Sequence, residues 1–333
     1  MKKYRYLLAA SALTLMLAAC NADEAEQASA TEEKAATEES TEEVAEEVVV
    51  DENATQKVTY LGTEYEVPAK VETIVAASLE SMEDAAVLGI KPVGVVSNDG
   101  ETIPSYLAKE LEGATVVGTK KEPSAELMLT LNPDVILGIS RWDEAQMMTY
   151  NKVATTFPYS HISTNWKENL ALLGQLTGKE AEAEAAIAQY EEKLAAAREQ
   201  IQASDLKDKK IVLIRLRDGM AVYPETIFLN PSVYADLGFN VPEELGSIEQ
   251  QTVISHETLA EWNPDIVLIQ VEDPENAETS AMLEEVLNNN IFKGITASKN
   301  EQVYVNIVDP MAQGGTAWSK INFLDAFMET VIK

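Results

Sequence analysis

Along most of the chain, short aliphatic runs bounded by turn signals alternate with amphipathic stretches. Thr73-Ile74-Val75-Ala76-Ala77 and Pro92-Val93-Gly94-Val95-Val96 read as strands flanking a helix over Ser81 to Leu88. Lys210 to Arg215 and Val303 to Val305 read as further strands, with a last helix from about Thr316. Uninterrupted aliphatic runs indicate strands covered on both faces, as in parallel sheets. Lys179 to Ala203 holds nine Ala, six Glu and no Pro or Gly, with Ile187, Tyr190, Leu194 and Ile201 at helical spacing. That pattern predicts one helix spanning roughly 37 Å, preceded by a shorter one over Trp166 to Leu176 and broken near Gly178. Strands alternating with helices place the chain in the α/β class.

One pattern occurs twice. Ser124-Ala125-Glu126-Leu127-Met128-Leu129-Thr130-Leu131-Asn132-Pro133-Asp134-Val135-Ile136-Leu137 recurs as Ser255-His256-Glu257-Thr258-Leu259-Ala260-Glu261-Trp262-Asn263-Pro264-Asp265-Ile266-Val267-Leu268. Each copy reads as helix, turn and buried strand. Glu complements the dipole of a first helical turn. Asn-Pro ends the helix, because the residue before Pro disfavours the right-handed helical region. Two copies on either side of the long helix predict two similar α/β lobes, with the helix as a strut that permits little relative motion.

The N-terminus follows a different pattern. Lys2, Lys3 and Arg5 precede an apolar run over Leu7 to Leu17, then Ala18, Ala19 and Cys20, the only cysteine. A positive start, a short apolar segment and small residues mark a secretory signal peptide over residues 1–19. The run is too short to span a bilayer comfortably. Leu17-Ala18-Ala19-Cys20 resembles a lipobox, which implies cleavage before Cys20 and a lipid on it. Residues 21–56 carry thirteen acidic residues and one lysine, with no aromatic residue, Pro or Gly. Such a segment cannot bury enough apolar surface to offset its ordering entropy, so 20–56 reads as a lipidated cysteine with an acidic disordered tether. A tether of this length points to a Gram-positive envelope.

The remaining sequence divides into an N-terminal lobe over 57–165, a connecting helical segment over 166–204 and a C-terminal lobe over 205–333. With no cysteine after Cys20, the body depends on its core rather than on disulfides. A formal net charge of −31 argues against nucleic acid as a partner.

Ligands of α/β sheets gather at the carboxyl ends of strands. Arg141 and Trp142 follow the strand Val135 to Ile139 at that end. Arg215 and Arg217, spaced i and i+2, share one face of their strand. Guanidinium groups present rigid donor forks to carboxylate, hydroxamate or catecholate oxygens. Tyr223 adds a phenol, and Trp318 and Met311 are further candidates for the cleft mouth. At physiological salt, screening over about 8 Å isolates such a cationic wall from the acidic tether.

Other chemistries fit less well. Zinc or manganese needs converging His and carboxylates, and the body has only His161 and His256, on different predicted lobes. Haem could use His161 or Met311 as an axial ligand. No Gly-x-Ser-x-Gly elbow or His-Glu-x-x-His motif is present. Gly174-Gln175-Leu176-Thr177-Gly178-Lys179 lacks the length, the Ser or Thr and the preceding strand of a phosphate loop. The chain therefore reads as a binder and not an enzyme, with a secreted hydrolase or an adhesion lipoprotein as alternatives from other classes.

The ordered set of features resembles the substrate-binding lipoproteins of ABC importers, in the class that takes ferric siderophores, haem and cobalamin. The resemblance covers essentially all of 57–333. It is carried by Glu83-Asp84-Ala85-Ala86-Val87-Leu88-Gly89, by Asn132 to Arg141, by Ile214-Arg215-Leu216-Arg217 with Tyr223, and by Asn230-Pro231-Ser232-Val233-Tyr234-Ala235-Asp236-Leu237-Gly238. It implies two Rossmann-like lobes with parallel-sheet cores joined by one long rigid helix, the class III periplasmic-binding-protein architecture. It implies no cofactor and a ferric siderophore as ligand, with hydroxamate or mixed carboxylate-hydroxamate types favoured and haem or cobalamin as alternatives. Glu126 and Glu257 take the positions that dock onto permease arginines. The implied protein is a lipid-anchored, extracytoplasmic monomer that hands its ligand to an ABC permease.

Overall fold

A computed structural model describes residues 54–100, 102–271 and 277–332. The signal segment, Cys20 and nearly all of the acidic segment lie outside the described residues. The chain begins with an antiparallel hairpin, β1 (Thr55–Tyr60) and β2 (Thr63–Pro68), turning through Leu61 and Gly62 at φ 46° and 82°. Paired positive φ values give the turn type that matches strand twist. Val58, Tyr60 and Val67 are buried. The Tyr60 hydroxyl donates to Asn169 Oδ1 at 2.6 Å and accepts from Ser160 N–H at 2.8 Å, tying the hairpin to the lobe behind it.

The first lobe is a five-stranded parallel sheet. In chain order it holds β3 (Ile74–Ala76), α1 (Leu79–Val87), β4 (Gly94–Ser97), β5 (Thr115–Thr119), α2 (Ala125–Leu131), β6 (Val135–Ile139), α3 (Glu144–Tyr150) and β7 (Thr155–Tyr159). The spatial order is β5-β4-β3-β6-β7. The direction of winding reverses between β3 and β6, and ligands of open α/β sheets bind at such a switch point.

The helical segment follows as α4 (Trp166–Thr177) and α5 (Glu180–Gln202), separated at left-handed Gly178. On α5, Ala183, Tyr190, Leu194, Ala197 and Ile201 are buried, a stripe at helical spacing beneath a charged outer face.

The second lobe holds β8 (Ile211–Leu216), β9 (Met220–Val222), β10 (Thr252–Ile254), α6 (His256–Trp262), β11 (Ile266–Val271), α7 (Ala277–Asn288), α8 (Thr296–Lys299), β12 (Val303–Val305) and α9 (Ala317–Phe327). The strand order is β10-β9-β8-β11-β12. Here the structure departs from an all-parallel core. β8, β11 and β12 are parallel, whereas β9 and β10 run antiparallel at one edge. Only three residues separate β8 from β9, and a parallel return needs a crossover of a dozen or more.

The repeated motif builds the same device in both lobes. Ser124 Oγ accepts from Leu127 N–H at 3.2 Å, and Ser255 Oγ accepts from Thr258 N–H at 3.1 Å, each capping its helix. Asn132 and Asn263 end those helices in the left-handed region, at φ 46° and 44°. The pre-proline residue therefore leaves the right-handed helix by a left-handed cap rather than an extended turn. The following Asp anchors the neighbouring strand entrance. Asp134 Oδ2 accepts from Glu72 and Thr73 N–H, and Asp265 Oδ2 accepts from Lys210 N–H.

All described residues belong to one compact unit, Val50–Lys333. Within it the lobes meet through α1 and α9. Glu83, fully buried, accepts from Tyr106 Oη at 2.7 Å, Gln313 N–H at 2.9 Å, Ser319 Oγ at 2.6 Å and the Thr316 hydroxyl. Asp84, also fully buried, accepts from Tyr159 Oη and Ala317 N–H, both at 2.8 Å. Asp84 thus satisfies an N–H of the first turn of α9, a group that helix geometry leaves unpaired.

Candidate ligand-binding cleft

The switch point of the first sheet faces the second lobe. Glu80 on the first turn of α1 stands beyond β3, and Arg141 stands beyond β6. A cavity of about 290 Å³ separates the lobes there. The first lobe contributes Glu80, Arg141 and His161 to its lining, and the second contributes Arg215, Arg217 and Tyr223. A second cavity of about 360 Å³ shares Glu80, Arg141 and Gln313, and adds Lys120, Lys121 and Trp142.

Each wall has a local cause. Arg215 on β8 and Arg217, in the turn just past its end, both line the first cavity. The Arg215 guanidinium lies 4.8 Å from the Phe228 ring centroid, a cation–π contact that holds it across the cleft floor. The Tyr223 hydroxyl donates to Gln251 Oε1 at 3.1 Å, and its ring lies 5.8 Å from that of Phe228. Trp142 folds back over its own strand. A Cβ on Gly138 would fall 1.8 Å from the indole, so this close approach requires glycine. The indole also packs on Tyr150 at 4.3 Å between centroids, which fixes the Arg141–Trp142 loop.

His161 Nδ1 lies 2.8 Å from Ser140 Oγ at the cleft edge. Burial, then the nearby Arg141, lowers its pKa below the usual histidine value, so the ring is neutral at physiological pH. Glu80 is only 7% exposed. Burial raises its pKa, opposed by its own backbone N–H, Arg141 and Lys120.

Two candidates from the sequence fall elsewhere. Trp318 packs against Tyr106, with ring centroids 5.0 Å apart and the planes tilted by 58°, and lines a different cavity of about 310 Å³, beside Tyr190 and Lys193 of α5. It packs at the helical joint, because α9 turns that face toward the strut. Met311 lies outside the lining of both cleft cavities, and its carbonyl accepts from Gln313 Nε2 at 2.6 Å. Among the described residues, no group of three or more His, Cys, Asp or Glu is placed to hold a metal ion.

Sequence reasoning missed Lys120, Lys121, Glu80 and Gln313. The lysines had a usable signal, since they directly follow the end of β5, as Arg141 follows β6. Glu80 and Gln313 had none, because their position depends on how α1 and the segment before α9 meet.

Glu126 and Glu257 are both exposed, each the second residue of its capped helix. The pKa of Glu257 is lowered by its own backbone N–H and by Ser255.

Residues 74–306 match the periplasmic binding protein family. The chain is 42% identical over 276 residues to the iron-uptake system-binding protein of Bacillus subtilis, covering 82% of this chain and 86% of that one. Its structure is similar, at a TM-score of 0.74 and 42% identity, to the crystal structure of the triscatecholate siderophore binding protein FeuA of Bacillus subtilis complexed with ferri-bacillibactin, covering 82% of this chain and 97% of that one. A third similarity, at a TM-score of 0.70 and 25% identity, is to Staphylococcus aureus SirA complexed with staphyloferrin B, covering 83% of this chain and 98% of that one. Two sheets with their strand ends facing across a cationic cleft, one long connecting helix and a family match over most of the body agree, and the chain belongs to the periplasmic binding protein family.

Proposed function

We propose that this protein captures a ferric siderophore in the interlobe cleft and delivers it to an ABC permease for iron uptake. It acts outside the cytoplasm, as a monomer held to the cell membrane by a lipid on Cys20. It performs no chemistry on its cargo, and iron enters as part of the ligand rather than bound to protein side chains.

One observation carries the reading: Lys120, Lys121, Arg141, Arg215 and Arg217 line two adjoining cavities, drawn from both lobes. A ferric tris-catecholate is a trianion, because three doubly charged catecholates outweigh the ferric charge. A ferric tris-hydroxamate is neutral. Clustered cations favour the trianion through charge-assisted hydrogen bonds and steering. We therefore favour a tris-catecholate over the hydroxamate or mixed carboxylate-hydroxamate siderophore expected from the sequence. The two lysines decide this, since Arg141, Arg215 and Arg217 alone suit either ligand. The similar protein crystallised with ferri-bacillibactin, a triscatecholate siderophore binding protein, supports the choice.

Arg141, Arg215 and Arg217 are assigned to the ligand oxygens, with Trp142 and Tyr223 as aromatic walls. Trp318 is assigned to packing. Glu126 and Glu257, one exposed on each lobe, are assigned to permease docking.

The test is tryptophan fluorescence of the purified protein, titrated with ferric tris-catecholate, ferric tris-hydroxamate, ferric citrate, haem and cobalamin. Trp142 borders the cleft and should report occupancy. Saturable quenching by a ferric siderophore, corrected for inner-filter absorption, is the expected outcome. Saturation by haem or cobalamin alone would replace this reading.

A further inference from the structure

Glu80 stands out among the cleft residues because it carries the sign of charge the cleft is otherwise built to receive. Its carboxylate lines both cavities and is largely buried. Arg141, beyond β6, and Lys120, beyond β5, lower its pKa. Across the cleft stand Arg215 of β8 and Arg217 just past its end, and His161 follows β7. Behind it, one turn along α1, lie Glu83 and Asp84. Asp84, Tyr106 and Tyr159 all feel its negative charge. Asp309, in the segment before α9, acts on Tyr106 from the same side. Glu80 is thus held between two cations in front and two buried acids behind.

We propose that Glu80 takes up a proton when an anionic ligand fills the cleft, so that ligand capture is coupled to proton uptake. The idea rests on the anionic-siderophore reading above and adds regulation to that site. In the empty cleft, the Glu80 carboxylate is a partial counter-ion for Arg141 and Lys120. An incoming polyanion claims the same cations and places like charge beside the carboxylate. Both changes favour the neutral acid, and burial favours it already. One proton passes from solvent to the Glu80 carboxylate. No bond of the ligand forms or breaks, and nothing is oxidised or reduced. The neutral acid can then donate a hydrogen bond to a ligand oxygen where the carboxylate would repel it. A neutral ligand does not draw this proton, so the preference of the cleft for anionic over neutral ligands is greatest in acid and weakens as pH rises.

The sign follows from linkage. A group that binds a proton on complex formation makes affinity fall as pH rises, by at most about ten-fold per pH unit for one proton. Calorimetric titration of ferric tris-catecholate, in buffers of different ionisation heat at about pH 7 and about pH 8, measures the protons taken up. The wild type should take up a substantial fraction of a proton. Glu80→Gln should bind with that uptake removed and lose less affinity between the two pH values, and Glu80→Asp should restore the coupling. Difference infrared spectra of the wild type give a reading that needs no variant: the carbonyl stretch of a protonated carboxylic acid should appear on ligand addition. Tight binding with equal proton uptake in wild type and Glu80→Gln, or with no new acid band, overturns the coupling and leaves the siderophore reading intact. No binding by the wild type overturns both.

Discussion

Glu83 and Asp84 are adjacent and fully buried, and the hydrogen bonds they accept come from hydroxyls and backbone amides. Desolvation therefore dominates, raising Glu83 to about 7 and Asp84 to about 8 against the hydrogen bonds that favour ionisation. For an acid whose folded pKa is raised, the stabilising contribution is full below its ordinary pKa and is lost as pH rises through the folded value. The protein should thus lose thermal stability between about pH 4 and about pH 8, by several degrees. Glu83→Gln should flatten that decline in a calorimetric melting series. Glutamine fits because Oε1 can keep Tyr106 and Gln313 N–H, while Nε2 faces two hydroxyls able to accept. An unchanged decline would move the titration to other groups. In the cleft, Arg215→Ala and Arg217→Ala each remove a guanidinium from the wall. A hydrogen bond to a charged group contributes about 1.5–3 kcal/mol, so each variant should bind ferric tris-catecholate roughly ten-fold to a hundred-fold more weakly with an unchanged melting temperature. Equal affinity in both variants would take these arginines out of the site.

The Arg141–Trp142 loop depends on a single missing methyl group. Gly138→Ala should displace the indole, lower the melting temperature and weaken ligand binding together, because an added Cβ would fall 1.8 Å from the Trp142 indole. A variant with wild-type affinity would show that the loop can move without cost. Elements of this size were unevenly legible in the sequence. The repeated Ser–Glu–Asn-Pro-Asp motif predicted α2 with β6 and α6 with β11, because caps, helix stops and buried strands are local chemistry. The long helix α5 was readable for the same reason. The β1–β2 hairpin was not: it sits at the seam with the acidic segment, and its burial comes from Tyr60 reaching Asn169 and Ser160, far along the chain. The reversal of β9 was hidden as well, since Arg217-Asp218-Gly219 reads as a continuation of a polar strand end. The arginines of the site were visible by their spacing and by strand-end logic. The lysines after β5 escaped because Thr115 to Thr119 is short and ends in Gly-Thr, which masked it as a strand.

At the scale of the molecule, the two lobes are related by the repeated motif, joined by α5 and pinned at a buried joint between α1 and α9. A joint made of fully buried carboxylates and a helix N-terminus resists opening, so the cleft is preorganised and little of the binding energy goes into closure. The lobes also carry Glu126 and Glu257 at equivalent exposed positions, each the second residue of its capped helix. Glu126→Ala combined with Glu257→Ala should leave ligand affinity intact and cut iron uptake by cells severalfold, since exposed charges act mainly in steering and docking. Normal uptake by that double variant would remove the docking assignment. The most direct test of the whole account is a crystal structure of the protein grown with ferric tris-catecholate, with the iron located by its anomalous scattering. One iron is expected between the lobes, with ligand oxygens within hydrogen-bonding distance of Arg141, Arg215 and Arg217 and bordered by Lys120 and Lys121. Iron located elsewhere, for example in the cavity beside Trp318 and α5, would contradict it.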